Sequence, residues 1–152
     1  MVVLAGCGGG GATPSAQSVS GKGYRFAAPA GWRVTHATGV TSTSSGDELV
    51  SVTVFPLGRP FRPKLWQKTV PELDRVASQL AGQLGGHVTS LESAVLAGHR
   101  ARSYDIAFTR GGKDLVERIA FFFSGRREYQ LLCRFAGDDS ACRDFRTSFR
   151  LG

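Results

Sequence analysis

No run of apolar residues in the 152-residue sequence reaches the length of about 18 that crosses a bilayer as a helix. Cysteine is scarce: three residues exclude a dense disulfide scaffold and a four-cysteine zinc site. The three histidines, His36, His87 and His99, are scattered, and none has a neighbour at metal-ligand spacing, so no metal or other cofactor is expected. No Gly-x-Ser-x-Gly elbow, phosphate-cradling glycine loop or dinucleotide fingerprint occurs. Acidic side chains are few, 12 Asp plus Glu against 19 Lys plus Arg, and only Lys22, Lys64, Lys68 and Lys113 are lysines.

What remains is an ordinary globular composition, 41% apolar and 20% charged, in a chain long enough for one hydrophobic core. The net charge of +7 is compatible with anionic lipid headgroups, acidic wall polymers or nucleic acid. A nucleic-acid binder concentrates its basic residues on one face with aromatics between them. Here they fall into small groups (Arg59, Arg62 and Lys64; Arg100 and Arg102; Arg126 and Arg127), each at its own turn or strand end. A solvated arginine-rich surface is therefore expected, with no nucleic-acid partner.

The N-terminal Leu4-Ala5-Gly6-Cys7 resembles the lipobox of bacterial lipoproteins. The resemblance implies diacylglycerol on the Cys7 thiol, cleavage after Gly6, and a lipid anchor holding the chain on the extracytoplasmic face of the cell membrane. Residues 1–7 then read as a truncated signal, because a charged n-region and a full apolar h-region are missing. A translation start placed too late, or a trimmed chain, accounts for that. Residues 8–22, rich in Gly, Ser, Ala and Pro, read as a flexible tether. From Gly8 to Ser20 a random coil spans about 20 Å, enough to clear the headgroups. The alternative is an accidental cysteine in a polar tail.

Residues 23–152 read as a single domain. Tyr24–Ala27 and Trp32–His36, joined at Pro29-Ala30-Gly31, have the pattern of a hairpin. A polar stretch follows at Thr41–Ser45, then a strand over Leu49–Phe55 and a proline-bounded loop from Gly58. A helix starts between Lys64 and Pro71; Val70, Leu73, Val76, Ala77, Leu80 and Leu84 recur at spacings of three and four, and Gly85-Gly86 ends it. Strands are expected over Val88–Leu96, Ala101–Thr109, Leu115–Ser124 and Glu128–Phe135, with glycine turns between them. Asp138, Asp139 or Ser140 caps a last helix with Cys142, Phe145 and Phe149 on one face. These elements make an α+β domain, an antiparallel β-sheet with helices packed on it.

Phe26, Pro29, Gly31 and Trp32, the central helix, the Ala97-Gly98 turn leading to Tyr104, and the aromatic strand followed by Ser148-Phe149-Arg150 resemble the PsbP-like family. That family includes the extrinsic photosystem II protein P and small actinobacterial lipoproteins of the LpqN and LpqT group. The resemblance implies an α/β/α sandwich and a scaffold, assembly or binding role; it carries over no catalytic residue.

Period-two counting puts Cys133 on the same side of its strand as Tyr129, Leu131 and Phe135, and Cys142 lies on the apolar face of the last helix. Both thiols point at one core, so a disulfide is expected, with two buried free thiols as the alternative. Arg59, Phe61, Arg62 and Trp66 form a candidate binding patch, because arginine with aromatics is typical of recognition surfaces; Phe61 and Trp66 docking the helix start on the core is the alternative. Asp47-Glu48 and Asp138-Asp139 read as loop and cap residues. No acid, base and nucleophile set emerges. The expected function is that of a non-enzymatic lipoprotein binding or accessory module facing anionic lipid, a wall polymer or a protein. An extracytoplasmic hydrolase or thiol enzyme is the alternative.

Overall fold

The computed structural model describes residues 16–152. The described residues form ten strands in chain order: β1 (Ala16–Gly21), β2 (Tyr24–Pro29), β3 (Arg33–Ala37), β4 (Val40–Ser45), β5 (Glu48–Pro56), β6 (His87–Leu96), β7 (His99–Arg110), β8 (Lys113–Ser124), β9 (Arg127–Phe135) and β10 (Arg150–Leu151). The helices are α1 (Trp66–Gln83), preceded by a short 3-10 turn at Pro63–Leu65, and α2 (Ser140–Ser148). Seven strands pair in the order β3-β4-β5-β9-β8-β7-β6, and three pair as β1-β2-β10. Every pairing is antiparallel.

The large sheet is covered on both faces, and strand periodicity sorts its side chains between them. In β8, Ile119 and Phe121 meet α1 and join Trp66, Leu73, Ala77, Tyr104 and Ile106. Ala120 and Phe122 point the other way, toward the small sheet and α2. Full burial of each such large side chain stabilises by roughly 1.5–3 kcal/mol. The second core is built on aromatic contacts: Phe26 meets Phe145 edge-to-face at 4.9 Å between centroids, and Phe122 stacks on Tyr129 at 4.9 Å. Cys133 and Cys142 are joined by a disulfide, Cα atoms 5.5 Å apart, which ties α2 to β9 across this core. The α+β expectation is met, with helices on opposite sides of the large sheet.

Three expectations change. The hairpin of Tyr24–Ala27 with Trp32–His36 does not form: β2 pairs with β1 and β10, β3 pairs with β4, and the Pro29–Trp32 turn carries the chain from one sheet to the other. That choice lets Tyr24, Phe26 and Ala28 face the large sheet from outside it. The polar stretch at Thr41–Ser45 is strand β4, where Thr41 and Thr43 are buried and the backbone bonds on both sides. Most of the expected tether after Ser15 is strand β1: Val19 enters the core while the small polar residues around it pair along β2, so Ala16–Gly21 belong to the folded domain. Cys7 and Gly8–Ser15 lie outside the described residues.

Two glycines are required by close approach. Gly86, just past α1, lies where a Cβ would sit 2.1 Å from the Ala107 carbonyl oxygen, so only glycine lets the chain leave α1 against β7. Gly21 would put a Cβ 2.1 Å from Tyr24 Cζ, so its bare backbone makes room for the phenol ring.

Candidate functional site

A cleft of about 570 Å³ is lined by residues of both sheets. Four separate segments build it: the β1–β2 turn, the β3–β4 hairpin, the end of β5 and the β8–β9 turn. Tyr24 and Thr41 form its floor, Val54 and Leu57 line a wall, and Lys22, Arg126 and Arg127 stand exposed around the rim. No carboxylate lines it.

Tyr24 Oη donates to Thr41 Oγ1 at 2.7 Å, and His36 Nδ1 lies 3.4 Å from the same oxygen. Burial pushes the Tyr24 phenol above its ordinary pKa, against the lowering effect of the Thr41 hydrogen bond, and the neighbouring Tyr129 adds to the rise. Tyr24 is therefore a neutral donor. The floor is a hydroxyl pair that bridges the two sheets. Apolar walls beneath an arginine and lysine rim suit a molecule with an anionic head and an apolar body.

A second, more open groove of about 690 Å³ runs between the β6–β7 turn and the end of α2. There Arg146 donates to Ser103 Oγ at 3.0 Å. Burial lowers its pKa, and nearby Arg118 acts in the same direction, while Glu92 and Asp105 oppose them.

The interior carboxylates are committed to arginine. Asp105 accepts two bonds from Arg118, at 2.7 and 3.0 Å, and Arg118 also reaches Asp139 at the start of α2. Asp139 is the N-cap of that helix, and Asp138 before it accepts the Ser140 N–H at 3.0 Å. Asp74 of α1 accepts from Arg102 and from Tyr104 Oη, and Glu117 accepts from Arg134. Among the described residues no three His, Cys, Asp or Glu side chains gather as a metal would require.

The proposed patch of Arg59, Phe61, Arg62 and Trp66 divides. Phe61 stacks on Phe123 at 4.4 Å and Trp66 is buried with its edge toward the same ring, so both aromatics belong to the α1-side core. Arg59 and Arg62 stay exposed. Backbone bonds from Leu57 N–H to Arg126 O and from Phe61 N–H to Gly125 O, both 2.8 Å, lay this loop along the β8–β9 turn. The loop thus runs beside Arg126 and Arg127, which line the cleft together with Lys22, while Arg59 and Arg62 do not line it. Lys22, Tyr24, His36 and Thr41 carry no mutual sequence signal, because their convergence depends on which strands pair.

No protein-family model matches the chain, and no curated protein matches it. Solved structures do. The cyanobacterial PsbP protein CyanoP from Synechocystis sp. PCC 6803 superposes with a TM-score of 0.69 at 17% identity, over 98% of this chain and 99% of that one. The fold is PsbP-like. LpqN, described as involved in cell envelope biogenesis of Mycobacterium tuberculosis, matches at TM-score 0.51 and 12% identity over 90% of both chains. A protein of Bacteroides thetaiotaomicron matches at TM-score 0.61 and 7% identity; the PsbP-like chain covers 85% of itself and spans 45% of that protein's length.

Proposed function

We propose that the protein is a non-enzymatic binding or accessory module of the cell envelope, lipid-anchored through Cys7 on the extracytoplasmic face, whose cleft at Tyr24 takes an anionic amphiphile. One observation carries this: an apolar cleft floored by a neutral hydroxyl pair, rimmed by Lys22, Arg126 and Arg127, and lined by no carboxylate. The lipobox-like Leu4-Ala5-Gly6-Cys7 and the fold shared with LpqN support the address. The disulfide is at home in an oxidising compartment.

Cosedimentation with phosphatidylglycerol vesicles, against phosphatidylcholine vesicles, tests the cleft. Reversing Lys22, Arg126 and Arg127 to Glu should weaken retention on the anionic vesicles at least tenfold, since each basic residue near such a surface contributes about 1 kcal/mol. Equal retention of wild type and variant, or equal retention on both vesicle types, rejects the ligand class. Labelling of the full gene product with a palmitate analogue tests the anchor: label lost on Cys7→Ser supports it, and an unlabelled wild type rejects it.

A further inference from the structure

β6 closes one end of the large sheet, and among the described residues no strand pairs with its outer backbone groups. The opposite end is β3, five residues long with Arg33 and His36 exposed. β6 is twice that length, and its sequence His87-Val-Thr-Ser-Leu-Glu-Ser-Ala-Val-Leu96 contains no Lys, Arg or Pro to discourage pairing. It also carries the two most exposed large apolar side chains, Leu91 at 53% and Val95 at 72%. Both lie on the α1 side of the sheet, opposite Tyr104 and Arg100 of β7.

The regular part of this edge is bounded. A register shift between Val88 and Ser90 interrupts it at one end and the Ala97-Gly98 turn at the other, leaving Ser90–Leu96 in unbroken register with β7. Its midpoint is Ser93. We propose that this edge pairs with the same edge of a second copy of the chain, antiparallel, about a two-fold axis through Ser93.

The register follows from complementarity. With the axis at Ser93, Leu91 of each copy lies opposite Val95 of the other, so all four exposed apolar side chains are covered in cross-strand pairs. Glu92 lies opposite Ala94, Ser90 opposite Leu96, and Ser93 meets its own counterpart. An axis at Glu92 would set two carboxylates against each other and separate Leu91 from Val95. An axis at Ala94 would put Leu91 opposite Ala97, in the turn. Such a contact is isologous, so it closes as a dimer and does not propagate into fibres.

Sedimentation of the full chain carrying Cys7→Ser, from about 1 µM to 1 mM, tests the pairing across the affinity range of a small interface. A concentration-dependent dimer is expected. Leu91→Lys and Val95→Lys should each weaken it at least tenfold without moving the melting temperature measured at concentrations where the chain is monomeric, since both side chains are exposed in one copy. Ser93→Cys in the same background should cross-link across the axis when reductant is removed, because directly opposed Cβ atoms lie about 4.5–5.5 Å apart. Thr35→Cys on the β3 edge should not. A monomer throughout the range overturns the proposal. So does a dimer that survives Val95→Lys, or one that cross-links through Thr35→Cys instead of Ser93→Cys.

Discussion

Tyr24 of the small sheet donates its phenolic hydrogen to Thr41 Oγ1 of the large sheet at 2.7 Å, and Thr41 is buried. This bond crosses the interface between the sheets at the floor of the cleft, so it bears on stability and on the site together. Tyr24→Phe keeps the ring but leaves the Thr41 hydroxyl with only the long contact to His36. Unfolding in urea should show a loss of about 1–3 kcal/mol, the cost of leaving a buried polar group unsatisfied. A loss below about 0.5 kcal/mol would show that the bond does not hold the sheets together.

The Cys133–Cys142 link closes a short loop, sequence separation 9, between β9 and α2. The chain-entropy model gives about 2.5–3 kcal/mol for such a loop. Peptide mapping without reductant should recover the linked pair. Paired replacement by serine should lower stability by at least that amount, because two polar hydroxyls then enter a core that includes Phe145.

Acid should release α1 from the sheet through Asp74. Burial alone would raise its carboxyl pKa, but hydrogen bonds from Tyr104 and Arg102 outweigh burial and hold it below the ordinary value. A depressed folded pKa means that the native state prefers the ionised form. The contribution is therefore complete above the unfolded pKa, about 3.9, and is lost as pH falls through the lower folded value. Asp139, lowered first by its bond to Arg118, acts with the same sign. Asp74→Asn should flatten the acid limb of a stability-against-pH curve and leave its neutral shape unchanged. An identical acid limb in the variant would refute the assignment.

At Gly86 an added methyl would collide with backbone, not with a side chain that could swing away. Gly86→Ala should cost about 1–3 kcal/mol, the usual range for overpacking. Gly82→Ala, where a Cβ meets nothing within 4 Å inside α1, should be neutral or stabilising by up to about 1 kcal/mol. Thermal melts of the two variants measure the contrast; similar melting temperatures would contradict it.

Local pattern was enough wherever one element's own periodicity names its face. The stripe through Leu73, Ala77 and Leu80, the four consecutive strands after Gly86, and the shared side of Cys133 and Leu131 are all visible at spacings of two, three or four. Such patterns report burial, because a covered face must be apolar. They do not report partners. Thr41 and Thr43 look like loop residues because their burial depends on a small sheet formed partly by β10, more than a hundred residues later. Ala16–Gly21 looks like tether because its order comes from a backbone ladder, which small polar side chains do not disclose.

The sequence by itself determined the class of fold and the apolar faces that carry Cys133 and Cys142, since each rests on a short-range pattern; the structure joined the two cysteines. Tertiary structure alone decided that Lys22, Arg126 and Arg127 surround one cleft, that Phe61 and Trp66 turn inward, and that β6 stands at the end of the large sheet among the described residues. The physical reason is that strand pairing is long-range: hydrogen bonds join whichever strands bury the most apolar surface together, and no local spacing encodes that choice.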